Sequence, residues 1–178
     1  MSRFPVHRSH PLRPLHPRFL RRPGALLVLA LSLALPAPPV QGQQPGDEEE
    51  VMAVITTLFD GMRARDGAMV ASAFHPEARL LTTGMGPDGV PRVQIIPISD
   101  FIQQVGQPGP SLDEQIFNPK VEIEGGLAQV WVDYTLHVGE DFSHCGVDSF
   151  QLARTAEGWK ILSVADTRRQ EGCEALLR

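Results

Sequence analysis

The stretch DFSHCGVDSF, residues 141–150, sets a histidine, a cysteine and an aspartate within five positions of one another. Three chemistries suit those residue types. They are a thiolate activated by an imidazole, a metal held by mixed ligands, and a carboxylate acting as a general base. On a strand successive side chains alternate faces, so His144, Asp148 and Phe150 share one face while Cys145 and Val147 take the other. A nucleophile pair made from His144 and Cys145 is therefore excluded. His144 and Asp148 lie roughly 13 Å apart at about 3.3 Å per residue, too far to form a hydrogen-bonded dyad. A metal centre needs three or four convergent ligands, and the chain has no HxH, HExxH or CxxC spacing. No metal or cofactor is expected. Asp148 is the leading candidate as a general base, with His144 beside it.

Those residues need a sheet to position them. Long strands read at 127–138, 142–154 and 159–168, joined as hairpins by GED and TAEG, with a further strand near 114–124. Pairing through TAEG sets Phe150 opposite Ser163 and Asp148 opposite Ala165, an apolar face interrupted by Asp148 and Ser163. That pattern suits a pocket with a few placed polar groups. The preceding hairpin leaves two registers open. A two-residue Gly139-Glu140 turn pairs Trp131 with Asp148 and brings Asp133 to the same face; a three-residue turn offers Tyr134 instead. Turn chemistry favours the first. The ligand-binding candidates are thus Trp131, Asp133 or Tyr134, Phe150, Ser163 and, after the second helix, His75.

Upstream, Val51, Val54, Ile55, Leu58, Phe59 and Met62 recur with helical spacing, which predicts an amphipathic helix ending near Asp66-Gly67. A shorter helix follows at 68–74, then a strand at HPEARLLTTG. The glycine-rich GMGPDGVP reads as a loop and is assigned no phosphate. RVQIIPI reads as an edge strand, since Pro97 cannot donate to a ladder, and DFIQQV as a short helix capped by Ser99. Helices followed by hairpin-linked strands make an α+β fold.

The N-terminal segment carries a separate message. Six arginines and no acidic residue fill positions 1–23, and the apolar ALLVLALSLAL follows at 25–35. A basic region, a short apolar run and small residues at Val40 and Gly42 describe a signal peptide, residues 1–42, cleaved near Gly42. A run of eleven residues is too short for the roughly 20 that span a bilayer, so stable membrane insertion is not expected. Residues 43–178 form a single domain with ten basic and 21 acidic residues, a formal charge of −11. That balance argues against nucleic acid as a partner. In an oxidising compartment, periplasmic or extracellular, an even pair of cysteines predicts a Cys145–Cys173 disulfide.

The paired helices with FHPEA after the second, and the closing hairpin FQLARTAEGWKI, resemble the nuclear transport factor 2-like (NTF2-like) superfamily, in its SnoaL-like or lumazine-binding branch. The resemblance spans about Glu48 to Arg169. It implies a cone-shaped, curved antiparallel sheet wrapped around N-terminal helices, a cystatin-like architecture with a pocket between the layers. It also implies a homodimer through the outer sheet face. It does not imply one activity, because the fold hosts isomerases, dehydratases, epoxide hydrolases and non-catalytic binders. Asp166, Arg168 and Arg169 do not match the epoxide-hydrolase pattern and read as a surface ion-pair cluster. The expectation is an exported protein that binds a small organic ligand without catalysis. The alternatives are an isomerase, dehydratase or hydrolase using Asp148, with Tyr134 or His144 assisting, and a protein-interaction module.

Overall fold

A computed structural model describes residues 46–176; the predicted signal peptide lies outside them. The element order is α1 (Asp47–Ala64), α2 (Gly67–Ala73), β1 (Phe74–Met85), β2 (Pro91–Pro97), α3 (Ile98–Val105), β3 (Leu112–Glu124), β4 (Leu127–Val138), β5 (Asp141–Thr155) and β6 (Gly158–Thr167). The strands form one curved, unclosed six-stranded sheet in the order β2-β1-β6-β5-β4-β3. All neighbours are antiparallel except β1 and β6, which run parallel. That parallel contact is the one exception in a sheet that is otherwise antiparallel, as expected for the fold. It joins the first strand to the last and brings the end of β6 against β1.

α1 packs the stripe that its spacing predicts: Val51, Ile55, Leu58, Phe59 and Met62 are all buried. Each such side chain contributes about 1.5–3 kcal/mol by leaving water. Phe59 meets Phe150 of β5 edge to face, with ring centroids 6.1 Å apart. α1 stops where Arg65 turns left-handed at φ 58°, and α2 starts from Asp66, whose carboxylate accepts from the Ala68 and Met69 amides. Gly61 permits the tight crossing of the two helices, because a Cβ there would sit 2.9 Å from Val70. α3 begins two residues earlier than expected, at Ile98, and Ser99 bonds to Asp100 rather than capping it. β2 is an edge strand bounded by Pro91 and Pro97.

The GMGPDG segment has the G-x-G-x-x-G spacing of a dinucleotide loop, yet it connects two antiparallel strands and opens no helix. The helix N-terminus that would receive a pyrophosphate in that motif is missing from this context. Two bulges matter more for function. One, at Leu136/His137, shifts β5 against β4; the other, at Gln151/Leu152, shifts β6 against β5. A third irregularity at Phe117/Lys120, where Asn118 adopts φ 53°, bends β3. No helix among the described residues is long and apolar enough to cross a membrane.

Candidate functional site

Between the helices and the inner sheet face lies a cavity of about 230 Å³. Leu58, Phe59 and Met62 of α1, Phe101 and Val105 of α3, and Leu80, Leu136 and Phe150 of the sheet supply its apolar wall. Its polar wall gathers Glu114 from β3, Tyr134 from β4, His144 and Asp148 from β5, Asp166 from β6 and Arg168 just beyond it.

The bulges decide which residues reach that wall. Gly139-Glu140 does form a two-residue turn, with Val138 opposite Asp141, but Ser143 is extruded and the register slips by one. Val132, not Trp131, therefore faces Asp148, and Tyr134 takes the inner face. Trp131 lies on the outer face, 53% exposed, and Asp133 lies there too, bonded to Asn118. Both are removed from the pocket by one extra residue. The second bulge acts in the same way on Ser163. Leu152 pairs with Ile161 as expected, but beyond the bulge Phe150 pairs with Val164 and Asp148 with Asp166. Ser163 turns outward and bonds Gln151 at 3.4 Å. His75 does not line the cavity; its Nδ1 accepts from the Glu77 amide at 3.2 Å.

Two residues read as surface groups reach the cavity wall, Asp166 largely buried and Arg168 half exposed. Asp166 and Arg168 line the cavity, joined by an Arg168 Nε to Asp166 Oδ2 bond of 2.8 Å. Glu114 escaped the sequence reading altogether. Its signal is the alternation Leu112-Glu114-Ile116, which sets one acid in an otherwise apolar inward row.

Asp148 is 3% exposed and stands directly across from Asp166, a like-charge pair that a sheet tolerates only with compensation. Burial pushes the Asp148 carboxyl up to about 7; the hydrogen bond with Glu114 and the Arg168 charge oppose the rise, and Asp166 adds to it. Glu114 is raised well above the carboxylate range, first by burial and then by the charge of Asp148 and the hydrogen bond with it. The two therefore titrate as a unit that holds a shared proton. Burial, then the negative charges of Asp166, Asp148 and Glu114, raise the Tyr134 phenol, so it stays protonated. Its hydroxyl donates to the Thr167 carbonyl at 2.9 Å. Gly146, opposite Tyr134, makes that approach possible, because a Cβ there would lie 1.8 Å from the Thr167 oxygen. Burial and the Arg168 charge lower His144, whose ring stacks edge to face with Tyr134 at 5.7 Å. The imidazole is neutral at pH 7.

On the opposite face of β5, Cys145 forms a disulfide with Cys173, Cα atoms 5.9 Å apart. Cys145 also exchanges backbone hydrogen bonds with Arg169, 2.9 Å each way. The chain after β6 is thus fixed beside the cavity, with Arg168 one residue before the anchor point. Among the described residues no cluster could hold a metal ion.

The family model described as "putative lumazine-binding" matches residues 46–165. No curated protein matches the sequence. Solved structures share the fold at low identity. An NTF2-like protein of unknown function from Shewanella baltica is 16% identical, with TM-score 0.57, covering 73% of this chain and 99% of its own. An NTF2-like protein with a cystatin-like fold from Novosphingobium aromaticivorans is 12% identical, with TM-score 0.58 and coverages of 75% and 90%. A "putative dehydratase" of the NTF2-like family from Streptomyces avermitilis is 16% identical, with TM-score 0.56 and coverages of 71% and 99%.

Proposed function

Because the chain belongs to the putative lumazine-binding family of the NTF2-like superfamily, we propose that it binds a small organic molecule in the cavity between helices and sheet. The observation that carries this reading is an apolar cavity with six polar side chains converging on one wall. Its volume, about 230 Å³, falls below the roughly 300–1,000 Å³ of drug-sized sites, which favours a compact ligand. Export supplies the setting: the Cys145–Cys173 disulfide fits an oxidising compartment, residues 1–42 act as a removed signal peptide, and 43–178 are the working domain. A homodimer through the outer sheet face belongs to the same reading, with Trp131 and Ile95 exposed there. Native mass spectrometry of protein purified from an exporting host tests it. A retained small molecule is expected, lost when Leu136→Trp fills the cavity. A ligand-free spectrum for both proteins argues against the reading.

A second reading is proton-transfer catalysis on the bound molecule, as isomerisation, dehydration or hydrolysis. It is favoured by Asp148, whose carboxyl titrates near 7 and so is poised as a general base. Glu114 would share the abstracted proton, and Tyr134 and neutral His144 would act as uncharged neighbours. Asp148→Asn tests the second reading: turnover of the bound molecule is abolished in the variant if the chain is an enzyme, and absent from both proteins if it only binds.

A further inference from the structure

The polar wall of the cavity sets three carboxyl groups against a single cation. Glu114, Asp148 and Asp166 bring three carboxyl groups to it. Asp166 Oδ2 receives Arg168 Nε, but Asp166 Oδ1 is buried with no partner. Glu114 and Asp148 are hydrogen-bonded to each other, and two carboxyls have at most one proton to share between them while either is ionised. The remaining donors are the other N–H groups of the half-exposed Arg168 and the side chains of Gln104 and Thr82; two further polar groups are engaged elsewhere. Tyr134 donates to Thr167, and His144 Nδ1 is engaged with Ser143 Oγ at 2.9 Å. Buried acceptors left without donors are costly, about 1–3 kcal/mol each. With one shared proton, three carboxyls and one guanidinium leave this wall at net −1. The helices bring it no charge: α1 contributes Leu58, Phe59 and Met62, and α3 contributes Phe101, Gln104 and Val105.

We propose that the ligand is a compact ring-bearing molecule whose polar end is an N–H donor group, such as an amidine, an amine or a ring N–H, and not a carboxylate or phosphate. The proposal rests on the ligand-binding reading above. The donor end would bond the carboxyl groups of Asp148 and Asp166, while the ring packs on Phe59, Phe101 and Phe150. A cationic end would displace the shared proton, so its binding strengthens as pH rises through the range in which the Glu114–Asp148 pair ionises. An anionic end would meet the three carboxyl groups and would have as counter-charge only Arg168, already bonded to Asp166.

The test uses three probes of one size and different polar ends: benzamidine, benzamide and benzoate. Each is titrated at pH 8 into the purified protein, with amide NMR shifts of Val105, Leu136 and Phe150 as the readout. Benzamidine is expected to bind at least about tenfold tighter than benzoate, with benzamide between them. Asp148→Asn and Asp166→Asn should each shrink the benzamidine preference severalfold while their spectra stay dispersed. Benzoate binding as tightly as benzamidine overturns the donor-end assignment, places the anion on Arg168 and leaves the cavity reading standing. So does a benzamidine preference unchanged in both variants, which would trace to the overall negative charge. If no probe moves any cavity-lining amide, the cavity reading and the ligand class fail together.

Discussion

Two buried aspartates meet opposite treatment in this molecule. Asp47, at the start of α1, is 4% exposed and forms an ion pair with Arg154 of β5. Arg154 also reaches Glu50 at 3.7 Å and lies over the Trp159 ring at 4.8 Å. Asp148, 3% exposed on the same strand as Arg154, receives no cation directly and shares a hydrogen bond with another carboxyl. The first is architecture: a buried charge with its partner in place, holding α1 to the sheet. The second costs stability and faces a cavity. Carboxyl groups gathered at a cavity with one cation among them are what the proposed ligand would compensate.

The comparison can be broken from either side. The largest effect should come from the covalent anchor beside the cavity. Replacing Cys145 and Cys173 together by serine removes a cross-link between residues 28 apart, costing about 3–4 kcal/mol in chemical denaturation. Arg154→Ala removes the guanidinium that pairs with Asp47. Arg154 is 35% exposed, which holds the loss below that of a fully buried pair, at about 2–3 kcal/mol. Ligand binding should be unchanged in that variant.

Asp148→Asn should move stability in the other direction. A carboxyl with a raised folded pKa binds a proton in the native state that the unfolded chain has already released. Its contribution is complete below the unfolded value near 3.8 and is lost as pH rises towards about 7. The native protein should therefore weaken across that window, and the variant should be flatter and about 1–3 kcal/mol more stable at pH 8. Thermal melts at pH 4, 6 and 8 check the sign. The smallest effect belongs to the outer face: Ser163→Ala should stay within about 0.5 kcal/mol and leave cavity binding untouched.

The fold was legible because its signals are periodic. The apolar stripe of α1 and the alternation in β4 to β6 each require one packing solution. The site was only partly legible, and the reason is local. Ser143 and Leu162 are single extra residues in otherwise regular strands, and each reverses the face of every residue beyond it. Trp131, Asp133 and Ser163 therefore left the pocket and Tyr134 entered it. Asp166 and Arg168 looked like surface groups because the parallel β1–β6 contact that wraps the cavity around them joins segments about 85 residues apart. Asp148, His144 and Phe150 needed only the alternation within β5, upstream of which no bulge intervenes between them.

The central claim is that Glu114 and Asp148 hold a shared proton within a ligand cavity. Carboxyl-carbon NMR, followed from pH 3 to 10 and assigned with Glu114→Gln and Asp148→Asn, measures it directly. The account predicts two coupled titrations above the ordinary carboxylate range, that of Asp148 near 7. Glu114 moves back towards that range in Asp148→Asn, whereas Asp148 stays raised in Glu114→Gln because burial is its main cause. Two independent titrations near 4 would contradict it.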